Sequence, residues 1–333
     1  MTDWLIYRGT GEPHDGVDRL PEPPPWRRFD GGPVTATPDW DDAVGGRPGV
    51  TDRARVYRPA AEVVEIVNAA LYLRRPLLVT GKPGTGKSTL AYSVAYELGL
   101  GPVLNWPISS HSKLDDGLYR YDPIGRLEQA SLERDGTAPP DIGRYLRLGP
   151  LGTSFVPGRR PRVLLVDEFD KSDIDLPNDL LNVFEEGEFE IPELSRLPDD
   201  QAEVEIMTAD PRRTALVRHG RVRCAAFPFV VITSNGEREF PPAFLRRCIR
   251  LNIQPPDAEK LAAIIEGHLG PGVLDGTRHL VEQFVEKRDL GDLATDQLLN
   301  AIYIATSGVR PEAATRERLT ERLFRPLDSS GGP

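Results

Sequence analysis

Gly81-Lys82-Pro83-Gly84-Thr85-Gly86-Lys87-Ser88 fits the phosphate-loop pattern G-x-x-x-x-G-K-[ST], and the fold prediction starts from this stretch. Residues 76–80, directly before it, form an apolar run long enough for one buried strand. The residues after it place apolar side chains at helical spacing, namely Leu90, Ala91, Val94, Ala95 and Leu98. A strand, a glycine-rich loop and a helix in this order favour a phosphate-binding loop over the alternative, a glycine-rich turn before an unrelated helix.

The chemistry of this loop comes from its backbone and from two side chains. Glycines let the chain curl so that successive N–H groups point at phosphate oxygens, and the positive end of the following helix adds to the attraction. Lys87 brings a mobile charge to the β- and γ-phosphates, and the Ser88 hydroxyl is placed to bind Mg²⁺. The candidate nucleotide-binding residues are Gly81, Pro83, Gly84, Thr85, Gly86, Lys87, Ser88 and Thr89.

A second chemical feature is the stretch 163–168, in which four apolar residues are followed by Asp167 and Glu168. A buried parallel strand delivers such acids at its carboxyl edge, where open α/β sheets bind their ligands. Asp167 is therefore a candidate for holding Mg²⁺, and Glu168 is a candidate base that polarises the attacking water. The alternative, two solvated acids at the end of a strand, loses weight beside an intact phosphate loop.

Composition places the chain among the globular proteins. Its residues are 39% hydrophobic, which provides for a sizeable core, and no apolar run approaches the roughly 20 residues that cross a bilayer. The first residues lack the basic and apolar regions of a signal peptide, and the two cysteines and five histidines match no disulfide framework or metal spacing. We therefore expect a soluble, cytoplasmic protein without membrane insertion. Its net charge of −10 argues against general nucleic-acid affinity.

The order of apolar runs predicts an α/β fold. A helix with an apolar stripe from Val63 to Leu71 precedes the first strand, and helical stripes dominate from Asp257 onward. Residues 108–160 are polar and rich in Gly and Pro, which predicts loops with one or two short helices. Further strands are predicted at 103–106, 163–166, 229–233 and 249–253. The predicted divisions are an irregular Pro-rich arm (1–55), an α/β core (56–255), a helical lid (256–326) and a disordered tail (327–333).

The arm contains three tryptophans, Trp4, Trp26 and Trp40, although its Pro, Gly and Asp content is typical of an irregular segment. Disordered tails seldom carry large aromatic side chains. We therefore expect the arm to pack on its own domain or on a neighbour, with a plain tail as the alternative.

Opposite charges are segregated inside the core. Residues 185–205 are rich in acids, and residues 212–223 are rich in arginine. Acidic and apolar residues alternate at 188–191 and 203–206, which predicts β-hairpins inserted at about 187–227 in which acidic and basic strands pair. Two roles remain open for this insertion: a solvated surface ribbon, or a surface that grips a partner.

The order of these elements resembles that of the AAA+ ATPases, and within them the MoxR-like branch of the dynein-related type, over roughly residues 55–325. The resemblance is carried by residues 81–88, residues 163–168, Thr233-Ser234-Asn235 and Ala243-Phe244-Leu245-Arg246-Arg247-Cys248. It implies a P-loop NTPase fold, with a doubly wound parallel sheet followed by a small all-helical lid domain.

The resemblance also implies roles for residues outside the phosphate loop. Asn235 takes the place of the sensor-1 residue, which orients water against the γ-phosphate. Arg247 takes the place of the arginine finger that reaches the γ-phosphate of the adjacent subunit, with Arg246 as its near-equivalent neighbour. Such a finger implies a homo-oligomeric ring, commonly hexameric, in which the hairpin insertion faces the central pore. Local sequence alone leaves two alternatives open: an Asn at a strand-to-turn transition and a solvated arginine pair.

The chain departs from the family at the second sensor, usually an Arg or Lys at the start of a lid helix. The corresponding stretch, 292–297, offers no basic residue. Arg288 and Arg310 are possible substitutes. This departure affects the expected coupling between bound nucleotide and the lid. It does not affect the chemistry of the phosphate loop.

The leading functional hypothesis is a Mg²⁺-dependent ATPase that works on a protein client. A second hypothesis is a nucleotide-gated switch or scaffold with slow hydrolysis, which the weak second sensor motivates. A third is a GTP- or ATP-driven motor subunit associated with nucleic acid in restriction or defence, supported only by the arginines of 212–223 and opposed by the acidic total charge. The phosphate loop binds phosphates and leaves the choice between ATP and GTP open.

Overall fold

A computed structural model of the chain describes residues 4–41, 49–132, 141–270, 272–288, 293–307 and 313–324. Its strands are β1 (Leu77–Thr80), β2 (Leu104–Pro107), β3 (Tyr119–Tyr121), β4 (Leu146–Leu148), β5 (Val163–Asp167), β6 (Glu188–Glu190), β7 (Glu203–Met207), β8 (Thr214–Arg218), β9 (Arg221–Arg223), β10 (Phe229–Ser234) and β11 (Ile249–Asn252). Its helices include α1 (Val50–Val56), α2 (Ala61–Leu73), α3 (Lys87–Glu97), α4 (Leu114–Leu118), α5 (Pro123–Leu132), α6 (Pro150–Ser154), α7 (Leu176–Glu186), α8 (Pro192–Ser195), α9 (Pro242–Leu245), α10 (Ala258–Leu269), α11 (Arg278–Arg288), α12 (Thr295–Thr306) and α13 (Ala313–Leu323). Short 3₁₀ turns occur at Asp15–Arg19, Pro25–Arg27, Ile142–Tyr145, Phe169–Lys171, Asp199–Gln201 and Val273–Gly276.

The central sheet has five strands in the order β11-β1-β10-β5-β2, and every neighbouring pair is parallel. In this register Thr80 pairs with Ser234, and Val166 pairs with Ile232. The carboxyl ends of β1, β5 and β10 therefore lie at one edge of the sheet. The predicted α/β fold with a parallel sheet followed by C-terminal helices is confirmed.

The sheet has an apolar core on each face, because alternate residues of a strand point in opposite directions. Leu77 and Val79 of β1 belong to a cluster with α2 and α3, whereas Leu78 belongs to the cluster that contains α7 and the second sheet. Strands buried on both faces need continuous apolar runs, which is why β1, β5 and β10 were recognisable in the sequence.

A second, six-stranded sheet has the order β3-β4-β7-β8-β9-β6. The strand β7 pairs with β8 in antiparallel fashion, and β6 pairs with β9. Acidic and basic residues face each other in both pairs, as in Glu203 with Arg218 and Glu188 with Arg223. The side chains of Glu203 and Arg218 approach to 2.8 Å. Charge alternation in the sequence predicted this pairing.

The prediction of loops and one or two short helices over 108–160 was wrong at β3 and β4. These strands pair with each other, with Tyr119 opposite Leu148, and β4 meets β7 where Arg147 pairs with Met207. Each strand has only three residues, which is too few to show the alternating pattern by which a strand is recognised in a sequence. The strands β3 and β4 therefore extend the hairpins of the insertion into a larger sheet.

The N-terminal arm packs on its own domain. Ile6 and Tyr7 are buried, and the Asn68 side-chain oxygen accepts their backbone N–H groups at 2.7 and 3.0 Å. The carboxylate of Glu97, at the end of α3, accepts four backbone N–H groups at 2.6 to 3.1 Å. Their donors are Arg8, Gly9, Thr10 and Gly11. We call residues 6–11 the strap.

The remainder of the predicted arm contains a regular element that the sequence prediction missed. The helix α1 begins at Val50, inside the stretch predicted to be irregular, and ends just before Tyr57. Earlier in the arm, Trp40 lies edge-on to Tyr96, with ring centroids 5.3 Å apart. Of the three tryptophans that led to the packing prediction, Trp40 is half-buried, whereas Trp4 and Trp26 are exposed, at 44% and 73%.

The helices α10 to α13 enclose a third apolar cluster, around Leu261, Phe284, Ile302 and Phe324. The predicted tail (327–333) lies outside the described residues. Within the described part of the chain, no helix combines the length and apolar character needed to cross a membrane.

Candidate functional site

The phosphate loop connects β1 to α3, and its shape depends on glycine at two positions. Gly84 has φ of 73° and Gly86 has φ of 87°, in the left-handed region that side chains disfavour. Gly86 precedes the first residue of α3, so the loop ends at a helix N-terminus. The Thr85 hydroxyl donates to the Lys82 carbonyl at 2.9 Å and closes the loop on itself. Pro83 and Thr89 are half-buried on either side.

Lys87 lies inside the loop, with 8% of the residue exposed. Its ammonium donates to the carbonyls of Gly81 and Lys82 at 2.7 and 2.9 Å and to Oδ1 of Asn235 at 2.8 Å. Burial lowers the pKa of Lys87, and the nearby carboxylates of Asp170, Asp167 and Glu168 oppose that shift. The structure thus brings together Lys87, from the start of α3, and Asn235, from the turn after β10.

A chain of hydrogen bonds joins Ser88 to the acidic strand. The Ser88 hydroxyl donates to Oδ1 of Asp167 at 2.7 Å, and the Thr233 hydroxyl donates to the same oxygen at 2.6 Å. The Thr233 oxygen in turn accepts the backbone N–H of Glu168 at 2.9 Å. These bonds fix the orientation of the Asp167 carboxylate beside α3.

Two residues of the site, Thr233 and Asp170, had no role in the sequence prediction. Thr233 links both predicted acids, and Oδ2 of Asp170 accepts the backbone N–H of Asn235 at 2.8 Å and that of Glu237 at 3.2 Å. Asp170 therefore holds the turn that carries Asn235. Thr233 was visible only as a polar residue at the end of an apolar strand, and Asp170 as the acid three residues after Asp167.

The Glu168 side chain makes its ion pair outside this network, although its backbone N–H bonds to Thr233. Its backbone has φ of 60° and ψ of 45°, a left-handed conformation that is uncommon for a residue with a side chain. Its carboxylate pairs with the Lys171 ammonium at 2.8 Å, and both side chains are about half exposed, at 49% and 43%. Backbone strain of this kind gathers at functional sites, and here it falls on the residue that directly follows β5.

The ligand set fits a Mg²⁺ ion. Mg²⁺ prefers oxygen ligands and is usually bound by one or two carboxylates together with substrate phosphates and water. Ser88 and Asp167 supply a hydroxyl and a carboxylate that are already in contact. Among the described residues no group of three or more His, Cys, Asp or Glu side chains is placed to hold a metal ion.

The predicted finger arginines lie at the other end of the sheet. The N–H of Ile249, which starts β11, donates to the Pro76 carbonyl at 2.8 Å, and the Arg75 guanidinium donates to the Arg246 carbonyl at 3.4 Å. Both contacts are at the amino end of β1, whereas the phosphate loop leaves its carboxyl end about 16 Å away along the strand. The structure therefore does not bring Arg246 or Arg247 to the phosphate loop of the same chain.

Arg247 and Arg246 differ in their surroundings. Nε of Arg247 donates to Oε1 of Glu185 at 2.7 Å, and 40% of the Arg247 side chain is exposed. Arg246 is exposed. Arg247 is thus the arginine of the pair that the fold holds in a defined position.

Two other elements reach the phosphate loop. A Cβ atom on Gly86 would lie 3.0 Å from a ring carbon of Tyr57, and one on Gly84 would lie 2.7 Å from the backbone nitrogen of Thr295. Burial raises the pKa of Tyr57 above its ordinary value. The start of α12 therefore occupies the predicted second-sensor position and presents Thr295, with Asp296 next to it, and no basic residue.

The possible substitutes for the second sensor are placed elsewhere. The Arg288 guanidinium donates to the Pro256 carbonyl at 2.6 Å and lies 6.0 Å from the Phe284 ring centroid. Both contacts lie within the predicted lid (256–326). Arg310 lies outside the described residues.

Residues 76–248 match the family model described as AAA domain (dynein-related subfamily). This range is slightly more than half of the chain, and it contains the phosphate loop, Asp167, Glu168, Asn235 and the arginine pair. A search of curated proteins found no significant match.

Proposed function

This chain belongs to the dynein-related subfamily of AAA domains, and we propose that it hydrolyses ATP with Mg²⁺ at the subunit interfaces of a homo-oligomeric ring, within the MoxR-like branch. Membership in this family implies ATP binding and hydrolysis. The proposal adds the subunit interface, the ring, commonly hexameric in this family, and a protein client on which hydrolysis does conformational work.

One observation carries the proposal: five polar side chains from three elements meet at the carboxyl edge of the sheet. They are Lys87 and Ser88 from the start of α3, Asp167 from β5, and Thr233 and Asn235 from the end of β10. A solvated strand end would not link its acid to a helix hydroxyl and a neighbouring strand hydroxyl at 2.6 to 2.7 Å. Their arrangement matches what phosphoryl transfer requires, which is positioning and charge.

The residues divide the chemistry as follows. Loop N–H groups and Lys87 bind the phosphates, while Ser88 and Asp167 hold Mg²⁺, which neutralises charge on the phosphates when bound. Glu168 takes a proton from the attacking water at its carboxylate, and Asn235 orients that water with its side-chain amide. Thr233 keeps Asp167 in the orientation that the metal requires.

The position of Arg247 supports a shared site. Within one chain it lies at the amino end of β1, too far to contact its own phosphate loop. A neighbouring copy that places this end beside the loop would bring a guanidinium to the γ-phosphate, and such fingers are worth several powers of ten in rate. Hydrolysis then depends on assembly.

Several basic residues of the insertion are paired within the chain. Arg218 contacts Glu203 at 2.8 Å, and Arg223 contacts Asp30 at 2.6 Å. Paired arginines have less charge to offer to phosphate backbones. This pairing favours a protein client over a nucleic acid.

The decisive test compares wild-type protein with Glu168→Gln in steady-state phosphate release with ATP and Mg²⁺. We expect the variant to bind ATP and to assemble as wild type does, with turnover reduced about a hundredfold or more, because it lacks the proton acceptor. Particle mass measured by light scattering, with and without ATP, reports assembly. Wild-type turnover in the variant, after removal of contaminating ATPase, removes Glu168 from this role. Repeating the assay with GTP determines the base preference.

The alternative function is a nucleotide-gated switch or scaffold, and it is favoured by the absence of a basic residue at Thr295, Asp296 and Gln297 at the start of α12. On that reading ATP binding sets the assembly state and hydrolysis is slow. A single-turnover assay with and without a copurified partner separates the two functions. A switch keeps its slow rate with the partner present, whereas a client-driven motor accelerates.

A further inference from the structure

The arm reaches the end of α7 through a buried arginine. Arg27 is 4% exposed, and its guanidinium donates to the Phe184 carbonyl at 2.6 Å and lies 5.0 Å from the Phe227 ring centroid. Phe29 stacks on the same ring at 5.8 Å and packs against Gly187, the residue that ends the helix. A cation at a helix C-terminus satisfies an orphan carbonyl and interacts favourably with the helix dipole. This contact is therefore built into the fold.

The same guanidinium faces the carboxylate that holds Arg247. Arg27 lies 3.9 Å from Oε1 of Glu185, and that oxygen accepts the Nε–H of Arg247 at 2.7 Å. Glu185 thus stands between a buried arginine from the arm and the exposed arginine that precedes β11. The three side chains form one chain of contacts, from the arm to the end of α7 to the arginine pair.

Without Arg27, the ion pair with Glu185 would hold the Arg247 side chain only weakly. A half-exposed ion pair gains little in water, because fixing two long side chains opposes the attraction. Here one end of the chain of contacts is fixed by packing, since Arg27 is buried between an aromatic ring and a helix end. The second anchor of Arg247 is a 3.4 Å hydrogen bond to the Ala243 carbonyl one turn earlier. Nε makes the bond with Glu185 and one terminal N–H makes the bond with Ala243, so three further N–H groups on the terminal nitrogens are suited to phosphate.

We propose that Arg27 is a positioning residue for the shared active site: acting through Glu185, it holds Arg247 ready for the nucleotide of the neighbouring subunit. This inference rests on the proposed function, because it requires Arg247 to act on another copy. It gives the N-terminal arm a part in catalysis without any contact between the arm and nucleotide. Removing Arg27 should affect the turnover of the neighbour's site and leave nucleotide binding in its own loop intact.

Mixed assemblies test this directly. Lys87→Ala subunits cannot hold nucleotide but carry an intact Arg247, whereas Arg247→Ala or Arg27→Met subunits have an intact loop and a defective finger side. Each variant alone should turn over slowly, with Arg27→Met reduced about ten- to hundredfold in kcat and its KM for ATP within about twofold. In a randomly mixed ring, about a quarter of the sites combine an intact loop with an intact neighbouring finger. Turnover should therefore recover when Lys87→Ala is added to either finger-side variant.

Three further variants separate positioning from general damage to the arm. Glu185→Gln, at a half-exposed site that tolerates change, should reproduce the Arg27→Met phenotype and its recovery on mixing. Arg27→Lys keeps the positive charge and should retain more turnover than Arg27→Met. Arg160→Ala is the matched control, because it removes another arginine that ties the arm to the core, through Asp15 and Asp18 at 2.9 and 2.6 Å and not through Glu185. It should leave kcat unchanged.

The outcomes are distinct for the two claims. Recovery of both Arg247→Ala and Arg27→Met by Lys87→Ala supports the inference. If turnover recovers for Arg247→Ala alone, the inference about Arg27 is overturned and the shared site is retained. This holds both where Arg27→Met and Glu185→Gln stay inactive on mixing and where they were never impaired. If Arg247→Ala does not recover, the shared site itself is wrong and the inference falls with it.

Discussion

Asn235 accepts a hydrogen bond of 2.8 Å from the Lys87 ammonium, which joins the loop after β1 to the turn after β10. The register of the sheet explains the contact: Thr80 and Ser234 are paired, so the residues that follow them leave the sheet at the same level. The side chain proposed to bind phosphate and the side chain proposed to orient water are therefore direct neighbours. A substitution at Asn235 therefore changes a hydrogen-bond partner of Lys87.

This contact predicts that two substitutions at Asn235 differ in ATP affinity. Asn235→Ala should lower turnover about a hundredfold, as loss of one oriented polar group does, and keep the ATP Kd within about twofold. Asn235→Asp should lower turnover as well and weaken ATP binding about tenfold, because a carboxylate beside Lys87 competes with phosphate and repels it. Titration with a fluorescent ATP analogue measures the difference. Equal affinities would show that the Lys87 contact has no bearing on phosphate binding.

Lys87→Ala and Arg247→Ala should separate binding from turnover. Lys87→Ala removes the charge inside the loop and should abolish detectable ATP binding. Arg247→Ala should keep the ATP Kd and reduce kcat about a thousandfold, because the missing charge acts only in the transition state. Equilibrium binding and phosphate release on the same preparations give both quantities. A similar loss of affinity in the two variants would contradict the shared site.

Gly84→Ala should weaken nucleotide binding through the lid. A Cβ atom at this position would lie 2.7 Å from the backbone nitrogen of Thr295, and the residue has positive φ, so the loop or α12 must move. Gly272→Ala is the matched control, because Gly272 has φ of 84° and nothing within 4 Å of the added atom. Both variants carry backbone strain, and Gly84→Ala alone should lose ATP affinity. If the control loses as much affinity, strain and not the lid contact is the cause.

Glu97→Gln should destabilise the protein far from the nucleotide. The fully buried carboxylate accepts four strap N–H groups on two oxygens, and an amide replaces one oxygen with a donor. Donors left without an acceptor cost about 1–3 kcal/mol each, so we expect a loss of about 2–4 kcal/mol in the free energy of unfolding. Urea denaturation measures it. Glu65→Gln, an exposed acid on α2, should change stability by less than about 0.5 kcal/mol. Equal stability of the two variants would contradict the buried acceptor.

Both cysteines should resist alkylation in the folded protein. Burial raises the pKa of the Cys224 thiol to about 12 and that of the Cys248 thiol to about 12. At pH 8 only about one thiol in ten thousand is then the reactive thiolate. Iodoacetamide at pH 8 should label neither residue until urea unfolds the chain, whereas an added cysteine, Ser110→Cys, on the exposed surface should react at once. Fast labelling of Cys224 or Cys248 in native protein would refute their burial.

The parts of the fold that could be predicted are those whose signal is local. The strands β1, β5 and β10 are buried on both faces, so each is a continuous apolar run that ends at a candidate site residue. Ser88 was found from the phosphate-loop pattern, Asp167 from the acids after an apolar run, and Asn235 from the family resemblance. Parallel pairing of the strands brings the three together. Alternation of acidic and apolar residues likewise revealed β6 and β7.

The parts that could not be predicted depend on contacts between distant residues. Neither β3 nor β4 has enough residues for a periodic pattern, and they are defined by their partners. Thr233 and Asp170 are ordinary polar residues in the sequence and acquire their roles from the atoms beside them. Arg27 is one of many arginines until its burial against Phe227 distinguishes it.

The strap has a consequence for the order of folding. Its N–H groups bond to Asn68 and Glu97, which lie 61 to 89 positions later in the sequence. During synthesis residues 6–11 leave the ribosome before their acceptors do, because Asn68 and Glu97 lie later in the chain and α2 and α3 must first pack side by side. The strap therefore docks late, through contacts between residues that are far apart in the sequence.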